Sequence, residues 1–189
     1  MQSRARVLDV IERCGLVTNV EHWHESVTGL RQAAVVGFGT MAATMSFRVE
    51  QSSSAQPSVL FDTFLDVESW PGWMPTVSTA SWERRGAPVT GVGGIRRVRM
   101  NGSTVRDEIT DGSRPSHHAY ITTLPGFWPV KDYRGDIRIH ELPNGSLVIW
   151  TATFVSPVPG LGKPLRFMLR TLITRLAAAL AKRAEGGRQ

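Results

Sequence analysis

A chain of 189 residues with 41% apolar and 20% charged residues is long enough for one domain with a true core plus an extension, and its ordinary polarity excludes a low-complexity chain. One cysteine, Cys14, excludes an internal disulfide and fits a reducing compartment, and no run approaches the roughly 20 apolar residues of a membrane span, so the cytoplasm is the expected location. The net charge of +6 invites anionic partners, but the arginines are spread over many segments with no Lys/Arg-rich run, so nucleic acid is not expected and the charge reads as solvated surface.

Residues 1–43 read as an N-terminal extension and residues 44–189 as the domain. Val7, Val10, Ile11 and Cys14 give a short amphipathic helix ended by Gly15. Glu21-His22-Trp23-His24-Glu25 has metal-binding residue types, but i and i+2 diverge on a helix, and on a strand a third ligand must come from elsewhere; no metal is predicted. Gly37, Gly39 and Ala42 have the spacing of a dinucleotide-binding turn, yet no helix and second parallel strand follow, so no cofactor is predicted.

From Thr44 the pattern becomes regular. Thr44–Gln51 reads as a strand, and Pro57–Asp66 as a short helix with Val59, Leu60, Phe64 and Leu65 on its apolar face. Glu68–Pro75 is a compact aromatic turn or second short helix. Strands follow over Thr76–Arg84, Gly94–Met100, Thr104–Thr110, His117–Thr123, Lys131–His140 and Leu147–Val155, with Asn101-Gly102 and Asn144-Gly145 as two-residue hairpin turns. Pro157, Pro159, Gly160 and Gly162 end the sheet. Pro164–Glu185 is then a helix about 33 Å long. Its stripe holds Leu165, Met168, Leu169, Leu172, Ile173, Leu176, Ala179 and Leu180. Arg183 falls on the stripe, so apolar contact should stop at Leu180; Phe167 falls on the far side with Ala178 and Ala181, where the extension could cover it.

The fold class is therefore α+β: a seven-stranded antiparallel sheet, two short helices after the first strand, and one long C-terminal helix. Such a meander twists and coils, and one helix cannot fill its concave face, which leaves a cavity.

The residues Val59 to Trp73 (VLFDTFLDVESWPGW), Val105 to Ile109 (VRDEI), Tyr133 to Ile137 (YRGDI), Trp150 to Phe154 (WTATF) and the closing PGLGKPL with its helix resemble the START/Bet v 1-like (SRPBCC) superfamily, in particular its bacterial polyketide cyclase/dehydrase-like branch. The resemblance covers about three-quarters of the chain, from about Thr44 to Ala184. It implies a helix-grip fold with a deep hydrophobic cavity that binds lipids, sterols or polyketides, with cyclisation or dehydration in some members. No residue set here matches a catalytic signature of the family.

Strand alternation sorts the inner face. Tyr133 and Ile137 oppose the charged Asp132, Arg134, Asp136 and Arg138, so they point inward, as do Trp150 and Phe154. Arg134-Gly135-Asp136 spells an adhesion tripeptide but sits mid-strand. Asp107 goes inward with Val105 and Ile109, and Arg96 with Val98 and Met100. His118 and Tyr120 share one face of their strand and Ala119 and Ile121 the other, which leaves that strand's direction open. Trp73, Arg96, Val98, Met100, Ile109, Phe127, Trp128, Ile137, Trp150 and Phe154 are the expected ligand contacts, with Met168, Leu172 and Leu176 facing them from the helix.

Two readings of the polar set stand side by side. Asp107 with Tyr120 and Tyr133 could act as acid–base residue and hydroxyl donors in a cyclase or dehydratase. Alternatively, Asp107 and Arg96 form a structural ion pair. Phe127-Trp128, between prolines, is a lid, a membrane-touching tip, or a pair folded back onto Leu161 or the helix. The leading functional expectation is a protein that binds a hydrophobic small molecule without cofactor or metal. The alternatives are the enzyme and a macromolecular interaction module using Arg166, Arg170 and Arg175.

Overall fold

In a computed structural model the described residues are 43–187, and the expectations for Val7–Cys14, Glu21–Glu25 and Gly37–Ala42 lie outside them. Seven strands, β1 (Ala43–Ser53), β2 (Val77–Arg84), β3 (Ile95–Met100), β4 (Ser103–Ser113), β5 (His117–Thr123), β6 (Lys131–Leu142) and β7 (Gly145–Ser156), form one antiparallel sheet in the order β1-β7-β6-β5-β4-β3-β2. Strands β2 to β7 are a meander; β1 pairs with β7 from Ala43 opposite Ser156 to Ser53 opposite Ser146. The chain crosses between the two edges through α1 (Pro57–Leu65) and a 3-10 helix (Val67–Gly72). The long helix α2 (Gly162–Gly186) closes the fold. This is the α+β arrangement expected from the pattern.

The hairpins show what sets register. Asn101 and Gly102 have φ of 47° and 75°, the paired left-handed values of a tight hairpin turn, and Met100 pairs with Ser103 across them. The second turn differs from expectation. Leu142 pairs with Gly145, so the two turn residues are Pro143 and Asn144, and Gly145 is the first residue of β7. Gly145 is needed there for another reason: a Cβ would lie 2.0 Å from the Ser53 carbonyl oxygen.

Helix α2 lies chiefly against β1, with lesser contact to α1 and β7. Leu165, Leu169, Ile173, Leu176 and Leu180 are buried, each contributing at most about 1.5–3 kcal/mol. Apolar contact does not stop at Leu180. Ala177, Ala181 and Ala184 are buried too, while Arg183 is exposed and Ala179 is only half-buried. The small alanines let the C-terminal half of α2 approach its neighbours closely, so the contact face rotates away from the stripe drawn by the large residues. Ala181 is thus not on the far side with Phe167, which is 74% exposed. Glu185 holds this end in place, accepting hydrogen bonds from Ser53 Oγ at 3.0 Å and the Ser54 N–H at 2.9 Å.

Candidate ligand cavity

The concave face is mostly apolar, with a row of polar residues running across four strands. Register places Arg96 of β3 opposite Asp107 of β4, Asp107 opposite Thr122 of β5, and Thr122 opposite Tyr133 of β6. Four neighbouring strands therefore present their polar inward residues side by side. Arg96 Nε donates to Asp107 Oδ2 at 2.9 Å, and Thr122 Oγ1 donates to Asp107 Oδ1 at 2.6 Å. Both carboxylate oxygens are occupied, and Arg96 is 1% exposed. Asp107 thus accepts one hydrogen bond on each carboxylate oxygen and is the ion-pair partner of Arg96.

The guanidinium is enclosed by aromatic faces. Its carbon lies 4.8 Å from the Phe64 ring centroid, 4.7 Å from Trp70 and 4.8 Å from Tyr120. The Trp70 indole N–H donates to the Phe64 carbonyl at 3.2 Å, which fixes that ring above Arg96. Arg96 Nη1 is buried and has no hydrogen-bond partner.

Beside this row, Trp150 Nε1 donates to the Tyr120 hydroxyl at 3.1 Å, and the Tyr133 ring packs against Tyr120 with centroids 6.4 Å apart. Burial, reinforced by the Asp107 charge, raises the Tyr120 hydroxyl far above its ordinary value; burial and the neighbouring Tyr120 do the same for Tyr133. Both stay neutral near pH 7. Tyr120 has room because its partner across the ladder is Gly135: a Cβ there would stand 2.3 Å from Tyr120 Cζ. The direction of β5 is thereby settled, with His118 and Tyr120 inward. His118 packs edge-on against Phe61 and Phe64, neither ring nitrogen has a partner, and burial, with help from Arg96, drives its pKa down to about 2.

Arg96, Asp107, Tyr120, Thr122, Tyr133 and Trp150 wall a cavity of about 100 Å³ between β3–β6 and α2, and His118 lies outside its lining. Drug-sized ligands occupy pockets of roughly 300–1,000 Å³, so this chamber is small. The sheet contributes Arg96, Asp107, Tyr120, Tyr133 and Trp150 of the expected residues, with Val98 and Met100 beside them; α2 contributes Met168, Leu172 and Leu176. Trp128 also lines it, donating from Nε1 to Ser103 Oγ at 3.4 Å and packing on Met168 and Leu124.

Five expected contacts lie elsewhere. Ile109, Ile137 and Phe154 are buried in the packed core away from the cavity. Trp73 is half-buried and donates to Ser69 Oγ at 3.0 Å. Phe127 is 57% exposed, so the Phe127-Trp128 pair is split, with one ring folded back onto α2 at Met168 rather than Leu161 and the other in solvent. Phe64, Trp70 and Met74 were not expected to line the cavity. The signal for them is an arginine at an inward strand position, which requires aromatic or anionic cover, and the two short helices after β1 carry Phe64 and Trp70.

Arg166, Arg170 and Arg175 are exposed on α2, whereas the exposed strand arginines Arg106 and Arg138 pair with Glu83 and Asp136 on the outer face of the sheet. Among the described residues, no helix is long and apolar enough to cross a membrane.

Residues 44–185 match the family model described as polyketide cyclase / dehydrase and lipid transport. Uncharacterised proteins of Mycobacterium bovis and Mycobacterium tuberculosis are 26% identical over 135 residues, spanning 71% of this chain and 78% of theirs. Among solved structures, Ara h 8.0201 superposes with a TM-score of 0.63 at 15% identity, covering 76% of this chain and 99% of that one. Thalictrum norcoclaurine synthase gives 0.62 at 12% identity, covering 79% and 99%. The di-domain ARO/CYC BexL from the BE-7585A biosynthetic pathway gives 0.60 at 20% identity, covering 76% of this chain and 49% of that one.

Proposed function

The chain belongs to the polyketide cyclase / dehydrase and lipid transport family, and from that premise we propose that it binds a hydrophobic small molecule in the chamber between β3–β6 and α2. The observation that carries this reading is the chamber itself: aromatic and aliphatic walls with a few convergent polar groups at one end. Binding rather than catalysis is favoured by Asp107, which is buried in a direct ion pair with Arg96 and also accepts from Thr122, the arrangement of a structural pair. At about 100 Å³ the chamber takes a compact ligand, or the compact end of a longer one.

Native mass spectrometry of the purified protein, followed by organic extraction, should reveal a co-purifying apolar molecule, and an environment-sensitive dye should be taken up and displaced. Absence of uptake across aromatic and aliphatic probes would remove the reading. The enzyme reading retains one supporting observation, the neutral Tyr133 and Tyr120 hydroxyls on the wall, which could donate to an enolate oxygen. Under it, Tyr133→Phe should lower kcat with KM little changed; unaltered turnover of a poly-ketone substrate would exclude the role.

A further inference from the structure

Two exposed phenylalanines are brought together from separate elements. Phe127 lies in the β5–β6 loop and Phe167 in the second turn of α2. Their sequence neighbours Trp128 and Met168 pack on each other, so loop and helix meet there while each leaves its phenylalanine in solvent. At about 100° per residue, Lys163, Arg166, Phe167, Arg170 and Thr174 share an arc of about 100° on α2, and all five are exposed. The arc holds three cations and no acid. Glu185, the acid of α2, is more than about 20 Å along the helix from Arg170 and accepts from Ser53 and Ser54. Among the described residues no carboxylate pairs with Lys163, Arg166 or Arg170. Several surface arginines elsewhere are neutralised, as Arg85 is by Glu68 and Arg114 by Asp62. Where the loop enters β6, exposed Lys131 and Asp132 cancel.

Exposed rings beside unpaired cations fit a partner that is anionic at its surface and apolar just beneath. An anionic bilayer has that layering: its phosphates attract the cations, and its acyl boundary takes the rings. An acidic protein would need a preformed pocket for each of two rings projecting from different elements, whereas a bilayer needs none. A nucleic acid would need cations tracking its backbone, and here the three lie along only about 10 Å of one helix. We propose that Phe127, Phe167 and the cations Lys163, Arg166 and Arg170 form a docking surface for anionic lipid membranes, on which the protein sits peripherally. Docking of this kind does not depend on what the chamber holds.

The full chain is sedimented with vesicles of phosphatidylcholine alone, and of phosphatidylcholine and phosphatidylglycerol in equal parts, in low and in high salt. It should bind the mixed vesicles about tenfold or more tighter than the neutral ones, and high salt should remove most of the difference. F127S/F167S should weaken binding to the mixed vesicles about tenfold or more, and R166Q/R170Q about twentyfold, near fivefold for each cation. All four residues are exposed, so both variants should keep the circular dichroism and unfolding midpoint of the unaltered protein. No binding of the unaltered protein to mixed vesicles would overturn the inference, and so would equal affinity for the two vesicle types. Binding left unchanged by either double variant would overturn it as well. Displacement from the vesicles by soluble poly-glutamate, with F127S/F167S displaced alike, would assign the surface to an acidic macromolecule instead. If F127S/F167S does not fold, the two vesicle types and R166Q/R170Q decide the matter.

Discussion

The two halves of the concave face are built from the same alternation and do different things. On the β1–β7–β6 side, α2 lies against the sheet, and Phe47, Val49, Ile139, Val148 and Phe154 fill the interior. On the β3–β5 side the sheet curves away from α2, and the interior holds a chamber with the buried pair Arg96–Asp107 at its wall. A hollow and a buried charge coincide in this half. The packed half supplies stability through contact area; the hollow half spends some of it on a space and a polar row. The aromatic cover from Phe64 and Trp70 is what makes the guanidinium tolerable there.

The sharpest way to break this comparison is to unbalance the polar row. Arg96→Met leaves Asp107 buried with no cation and should cost about 3–5 kcal/mol in urea unfolding. Adding Asp107→Leu should recover most of that loss, because the pair as a whole contributes little net stability. If the single variant is as stable as the unaltered protein, the pair is solvated in solution and the hollow half is not dry.

Truncations compare the halves directly. Phe154→Ala removes a ring that is 1% exposed from the packed side and should cost about 3–5 kcal/mol. Leu172→Ala, on the helix face that borders the chamber, should cost only about 1–2 kcal/mol, since its side chain is half-buried and already adjoins a void. Equal losses in calorimetric unfolding would mean that the chamber collapses around Leu172 in solution.

Much of this contrast was legible in the chain. Strand parity alone put Arg96, Asp107, Tyr133 and Trp150 on one wall, because each strand carries apolar residues at every second position. Which of those residues meet depends on cross-strand register, which parity does not supply. The bulge in β4 between Ile109 and Asp111 and the offset in β6 between Lys131 and Arg134 illustrate this, since neither carries a glycine–asparagine signal. The packed and hollow halves could not be told apart in advance for a similar reason. Ile137 and Phe154 have the same parity as Tyr133 and Trp150, and only the lean of α2 toward β1 puts them in the solid core. The role of α1 was hidden because an amphipathic face reads the same whether it covers a core or a guanidinium.

His118 offers a pH-dependent test of how well the hollow half excludes water. Its folded-state pKa is about 2 against an ordinary value of 6.5. Below pH 6.5 the unfolded chain takes up a proton that the folded chain refuses. Stability is therefore complete above about pH 6.5 and declines as pH falls toward 2, by about 1.4 kcal/mol per pH unit, or about 2 kcal/mol by pH 5. His118→Leu should abolish this share of the slope in denaturant titrations at pH 5 and 7.5. A slope unchanged by the substitution would show that water or a shifted backbone reaches the ring.

The smallest expected effect on stability carries the largest one on binding. In Gly135→Ala the new methyl would stand 2.3 Å from Tyr120 Cζ and 2.6 Å from its hydroxyl oxygen, so the ring must move. Overpacking a solid core costs about 1–3 kcal/mol, but Tyr120 borders the chamber and can tilt into it, so about 1 kcal/mol is expected here. That tilt fills the space a ligand would take and pulls the hydroxyl from the Trp150 indole, now 3.1 Å away. Dye uptake should therefore fall well beyond what the stability loss accounts for, with the fold intact by circular dichroism. A Gly135→Ala protein as destabilised as Phe154→Ala would mean that Tyr120 has nowhere to yield, which would make its surroundings part of the packed half.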